Sequence, residues 1–268
     1  ASMENSGFEF SATYRKRDHA FKYDISANLS TLKNKVTSLG FGTESYITGA
    51  YATYVGQEIG QFYGWVYKGI ARTQDDLDNN AVQQGANIGD CLYEDISGPN
   101  GTPDGVIDAY DQTVLGSGLP KVNFGLSTHM EYKGFDLNIS TYGVLNYHVS
   151  DDIYNSLNSC YGYGNKEVGM LDANRWSEDG TYLSSVPRTY AANNATLAWN
   201  DLFSSRKIQN AAYWKIANVE LGYNFPDKWF GGYVSGVRLY VSAQNLYTFT
   251  GYHGYNVDYA GGTFTPGY

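Results

Sequence analysis

Asp95, Asp104, Asp108 and Asp111 fall within one stretch, EDISGPNGTPDGVIDAYDQTVLG, punctuated by glycines and prolines. Several oxygens presented together suit a hard cation, which takes carboxylates, hydroxyls and main-chain carbonyls as ligands. The ligand set implied is Asp95, Ser97, Asp104, the carbonyl of Val106, Asp108 and Asp111. Gly105 permits the sharp turn that would aim them. The spacing follows an EF-hand-type calcium loop, with about five extra residues before Asp104. QTVLGSGLP breaks too soon for the helix that follows such a loop elsewhere. The expectation is a loop-only site for a structural calcium ion, Ca2+, set against a solvated acidic turn.

Catalysis finds little support. The four histidines, His19, His129, His148 and His253, form no HExxH, and no GxSxG is present. Asp151 and Asp152 are adjacent, and neighbours on an extended chain point apart. The chain is therefore read as a non-enzyme. Aromatic residues with nearby amides and carboxylates suit sugars, whose ring faces need a flat partner and whose hydroxyls need polar ones. Trp65, Tyr67, Tyr161, Trp199 and Tyr252 are the candidate substrate-binding residues, against the plainer alternative of loop packing. Cys91 and Cys160 fit no zinc or CxxC spacing; they are either two unrelated thiols or a disulfide between loops.

The elements that must carry these residues show a period of two. In FKYDISANLS, Phe21, Tyr23, Ile25, Ala27 and Leu29 alternate with polar residues. VNFGLSTHMEYK repeats this with Val122, Phe124, Leu126, Thr128, Met130 and Tyr132, placing His129 on the polar side. GFEFSATYRK, FDLNIST, KIANVELGYNF and GVRLYVSAQNLY follow suit, with Ala217, Val219, Leu221 and Tyr223 assigned to one face. One apolar and one polar face is the signature of antiparallel strands covered on one side. The formal charge of −9 leaves nothing to neutralise phosphates and excludes a nucleic-acid partner. No apolar run is long enough for a membrane helix.

Connection lengths alternate. Arg17–Ala20, Lys133–Gly134 and Pro226–Ser235 are short; 33–120 and 148–211 are long. In an up-and-down sheet, all short turns then share one rim and all long loops the other. That is the layout of an outer-membrane β-barrel. The strands also approach the roughly 9–11 residues that cross a bilayer when tilted. Two further wall strands are expected in YITGAYATYV and IGQFYGWVYKGI. YAGGTFTPGY lacks the alternating strand that should follow Phe249, so the expected product is a wall segment with unpaired edges. The competing architecture is a soluble, calcium-dependent carbohydrate-binding β-sandwich. There, a second sheet would cover the apolar faces.

ENSGFEFSATY, FKYDISANLSTLKNKVTSLG, GQEIGQFYGWVYKGI, DGVIDAYDQTVLGSGLPKVNFGLSTHMEYKGFDLNIS, Arg175–Trp176, YWKIANVELGYNFP and RLYVSAQNLYTFTGYHGYN occur in that order. Together they resemble the C-terminal barrel portion of SusC-like TonB-dependent outer-membrane transporters of Bacteroidetes-type bacteria. The resemblance implies an all-β, antiparallel up-and-down transmembrane barrel of roughly 22 strands with a plugged lumen. On it, residues 1–268 form a C-terminal part of the barrel, without plug or last strand, and 33–120 and 148–211 are extracellular loops. It also implies a SusD-like surface lipoprotein partner, energy from TonB through the absent plug, and an oligosaccharide or peptide substrate. The implied location is the outer membrane of a Gram-negative cell.

Overall fold

The computed structural model describes residues 1–157, 186–189, 199–234, 236–254, 256–258 and 264–265. Six strands form one antiparallel sheet: β1 (Glu9–Lys16), β2 (Phe21–Thr31), β3 (Val122–Tyr132), β4 (Phe135–Leu145), β5 (Tyr213–Asn224) and β6 (Arg238–Thr250). Their spatial order is their chain order, with β1 and β6 at the edges. The expected up-and-down topology is therefore present. Residues Phe21, Tyr132, Phe135, Tyr223 and Leu239 stand side by side across five strands. This row puts the three short connections at one rim and both long loops at the other.

Local chemistry fixes the tightest turn. Lys133 and Gly134 both have positive φ, 48° and 89°. This backbone matches the twist of the strands it joins, which is why such two-residue turns dominate hairpins. The alternation holds along β1 to β4, but β5 departs from a simple repeat. A bulge between Ile216 and Asn218 leaves Ala217 without a partner in the ladder. Ile216 and Trp214 consequently share the apolar face with Val219, Leu221 and Tyr223, and Ala217 does not continue it. One extra residue in a strand reverses the parity beyond it.

No protein layer covers the apolar face among the described residues. Phe21, Ile25, Leu29, Leu126, Leu221, Leu239 and Val241 are all exposed, the last two by about two thirds. A sandwich would have covered them, so that alternative is set aside. Glycine and aromatic residues complement each other on this face. Phe124 lies opposite Gly143, where a Cβ would come within 2.4 Å of its ring.

Beyond the rim, the long loops build their own structure. Ser2–Ser6 pairs with Lys33–Ser38 as a projecting ribbon. Gln112–Ser117, Gln61–Trp65, Tyr51–Tyr54 and Ser45–Thr48 form a separate four-stranded sheet. YITGAYATYV and the first half of IGQFYGWVYKGI thus belong to this loop sheet, and Tyr67–Ile70 pairs separately with Cys91–Tyr93, so neither segment is a wall strand. The loop sheet's strands have four to six residues, too short to cross a bilayer. Tyr51, Ala52 and Thr53 are buried in succession, so neither face is left for lipid.

Candidate functional site: a polar inner wall beneath a packed loop platform

The polar face of the wall carries linked charges near the short-turn rim. The Arg238 guanidinium donates to Asp136 and, at 2.6 Å, to Glu220. Asn224 adds a third donor to Asp136, at 2.8 Å. Gly222 makes the arrangement possible: a Cβ there would meet the Arg238 guanidinium at 2.5 Å and Asp136 at 2.7 Å. On the neighbouring strands, His129 bridges Asn138 (2.6 Å) and Glu131 (2.9 Å). Lys22 pairs with Glu131 at 3.2 Å, and Arg17 with Asp24. His129 therefore lines the polar face, as its parity predicts. Further from this rim, Gly125, Ser127 and Ser140 leave a hollow of about 480 Å³ bordered by Asn28, Asn123 and Tyr142.

Toward the long-loop rim, two buried clusters organise the loops. Trp65, Tyr67 and Trp199 pack against Cys91, Tyr93 and Ile107. The Trp65 indole donates to the Asp108 carbonyl, and that of Trp199 to the Gln84 carbonyl, both at 3.0 Å. Tyr93 donates to the Trp199 carbonyl, and burial pushes its phenol pKa well up. Beside this cluster, Asp90 is fully buried and accepts both Arg188 nitrogens (2.6 and 2.9 Å) and the Asn200 amide (2.9 Å). Asn200 in turn accepts from the Cys91 N–H at 2.7 Å. These contacts clamp the second long loop onto the first.

The second cluster joins Val144, Tyr147, Val149, Ala211, Tyr213, Tyr252 and Val257. Tyr252 is buried and donates to Asp151. The segment after β6 thus folds back over the wall, where Asp258 accepts from Lys215 and Tyr213. Burial works against the Asp258 carboxylate, but these two donors hold its pKa below the usual range.

The candidate substrate residues divide accordingly. Trp65, Tyr67 and Trp199 come together, but as partly buried members of a loop core. Tyr252 stands in the other cluster, and Tyr161 and Cys160 lie outside the described residues. Cys91 is buried.

The acidic stretch turns its carboxylates onto main-chain N–H groups. Asp111 is fully buried and accepts from Ile96 (2.8 Å), Ser97 (3.1 Å) and Asp108 (2.9 Å). Asp95 accepts from Gly105 at 2.7 Å, Asp104 from Val106 at 3.1 Å, and Asp108 caps the short turn Ala109–Asp111 through Tyr110 at 2.8 Å. The residues around Val106 pair with Val82 instead, in a short parallel bridge. Among the described residues, no three acidic, histidine or cysteine side chains gather as a metal-ligand set. Most of these carboxylate oxygens accept a single N–H and keep a lone pair, so the contacts neither build nor bar a cation site at Asp95, Ser97, Asp104, Val106, Asp108 and Asp111.

The comparisons with known proteins agree with the wall geometry. No family model matches the chain. A TonB-dependent receptor of Formosa agariphila is 30% identical over 264 residues, covering 94% of this chain and 25% of the relative. The TonB-dependent receptor SusC of Bacteroides thetaiotaomicron is 25% identical over 273 residues, 94% of this chain and 24% of the relative. The chain is a homologue of SusC-like TonB-dependent receptors. It spans about a quarter of the length of these curated relatives. The structure of the RagAB peptide transporter shares the fold with a TM-score of 0.76 at 22% identity, over 98% of this chain and 27% of that one. The RagAB peptide importer in its 'open-open' state gives 0.73 at 23% identity, over 97% and 27%.

In a SusC-like barrel wall, the uncovered apolar face is the outer surface and the charged face lines the lumen. The residues missed from sequence are those that join distant segments. Asp90 and Arg188 are 98 positions apart, and Asp136 and Arg238 are 102 apart. No local pattern marks the first pair. The second was accessible: both residues stand at strand ends beside short turns, and aligning the hairpins at that rim brings them together.

Proposed function

We propose that this chain forms part of the wall and external loops of an outer-membrane nutrient importer that is energised through TonB. The carrying observation is the six-stranded meander, apolar and uncovered on one face, charged and hydrogen-bonded on the other. Lipid meets the first face and the substrate path the second. A SusD-like surface lipoprotein would close over the loop platform. The cargo would be an oligosaccharide or a peptide, either of which needs the many polar groups that the inner face offers. The aromatic residues Trp65, Tyr67 and Trp199 serve this function by stiffening the platform, since both indole N–H groups and part of the surface of all three rings are engaged in packing. This part of the mechanism involves recognition and passage, with no bond made or broken.

Deleting the encoding gene in the bacterium that carries it tests the proposal. Growth on a peptide mixture or on an oligosaccharide as sole carbon source should fall, with monosaccharide growth unchanged. Restoration should require both the intact transporter and an energised TonB system. Unchanged growth on every oligomeric substrate, together with unchanged uptake of labelled peptides and glycans, would overturn it.

A further inference from the structure

The connection between β5 and β6 is longer than a hairpin needs. Two residues suffice between β3 and β4, yet residues 226–234 intervene here before the chain turns into β6. They are rich in large apolar side chains: Trp229 is 61% exposed, Tyr233 95% and Val234 50%. Such exposure at a tip normally marks an interaction surface. The tip is also well formed. Asp227–Phe230 makes a short 3-10 turn, Gly231 and Gly232 adopt positive φ of 60° and 81°, and Asp227 accepts from the Gly236 N–H at 3.0 Å to close the base.

The rings continue a surface already assigned. Phe135 meets Tyr223 at 4.6 Å between centroids, Tyr223 meets Phe225 at 4.9 Å, and Phe225 meets Trp229 at 5.7 Å. Phe135 and Tyr223 belong to the uncovered outer row, so Trp229 extends the lipid-facing side past the end of the strands. At the same rim, the Lys133 ammonium stands over the Tyr132 ring at 5.2 Å, and Lys228 is exposed. Tryptophan and tyrosine, each with an apolar body and a polar tip, favour the headgroup layer, where lysine also finds phosphate.

We propose that residues 226–234 lie in the phospholipid headgroup layer at the short-turn rim, with Trp229 and Tyr233 as anchors, instead of projecting into water. This rests on the membrane reading of the wall. The test uses the full-length protein reconstituted in phosphatidylcholine–phosphatidylglycerol vesicles. Nitroxides are placed singly at Trp229→Cys and Tyr233→Cys in a Cys160→Ser background, Cys91 being buried. The ratio of oxygen collision to collision with a water-soluble nickel chelate rises with depth, so at both sites it should lie clearly above that at Asp18→Cys in the shorter turn and below that at Leu221→Cys on the outer wall. Leu221→Cys separates the two claims. A high ratio at 221 with ratios at 229 and 233 no higher than at 18 overturns the anchor and leaves the wall intact; ratios at all three no higher than at 18 overturn both. If Trp229→Cys fails to assemble, Tyr233→Cys decides alone, because its ring is almost free of neighbours.

Discussion

The wall and the loop platform are built for different surroundings. The wall has no interior: its apolar residues point away from the protein, and its polar residues pair across strands. The platform is organised like a small soluble domain, with two buried clusters and a buried Asp90 paired to a partly exposed Arg188. The wall therefore depends on lipid for its apolar contacts and on its ladders for order. The platform depends on itself, and tolerates a buried charge only where the partner is present. A substitution should accordingly act by opposite rules in the two regions.

The sharpest break is in the platform. Arg188→Ala leaves Asp90 buried and unpaired, which costs about 3–5 kcal/mol. Limited proteolysis should then cut the long loops while the wall strands stay protected. Replacing both partners together, Asp90→Asn with Arg188→Met, should recover much of the loss. If the single and double variants lose equal protection, the clamp is not what joins the loops.

The wall follows next. Ile25→Arg places a charge on the outer face, and should cost roughly 2–4 kcal/mol if the site lies near mid-membrane. Ser26→Arg, one residue away on the inner face, should be nearly neutral. Denaturant unfolding in vesicles measures both. Equal costs would erase the distinction between the faces.

Smaller effects come from two glycines at the junction between wall and turns. Gly222→Ala should push the Arg238 guanidinium off Asp136. Gly134→Ala must hold φ at 89° with its Cβ 3.0 Å from the Asn224 carbonyl. Each should cost on the order of 1 kcal/mol, the second through a left-handed backbone that only glycine adopts freely. Unfolding midpoints of the single variants check this.

The smallest effect is a pH dependence at the base of the second loop. Burial pushes the His148 imidazole down, against the Ser117 carbonyl, which favours the charged form; nearby Lys121 lowers it further. A histidine depressed in the folded state binds fewer protons there than when unfolded. Its contribution is intact above the ordinary imidazole value of about 6.5. It is lost as pH falls through the lower folded value. The hydrogen-exchange protection factor at the Val149–Gln209 pairing, taken relative to the intrinsic exchange rate at each pH, should fall on acidification, and His148→Gln should remove most of that dependence.

The wall was legible in sequence because its physics is local. Alternation sets the faces, Lys133–Gly134 sets a hairpin, and connection lengths set the rims. The platform was not, because its physics is remote. Asp90 meets Arg188 only once the loops are docked, and Lys215 meets Asp258 only after the segment beyond β6 folds back. YITGAYATYV and IGQFYGWVYKGI looked like wall strands because composition favoured them, but the structure breaks each into two short strands of four or five residues. The acidic stretch shows how one spacing can serve two ends. Spacing suggested ligands, but carboxylates next to turns also satisfy main-chain donors, and Asp95, Asp104 and Asp111 do so here. Ala217 adds a subtler case: alternation assigned it to the apolar face, and the bulge takes it out of that row and puts Ile216 and Trp214 there.

The most direct test of the two-faced wall is a cysteine scan along β2 with a membrane-impermeant maleimide. Positions 21 to 31 of the full-length protein, reconstituted in vesicles, would be labelled one at a time. Labelling should follow a period of two, with Lys22, Asp24, Ser26, Asn28 and Ser30 reacting from the aqueous side. Tyr23, Ile25, Ala27 and Leu29 should remain protected. Uniform labelling along the strand, or the opposite phase, would contradict a wall with lipid on one face and the lumen on the other.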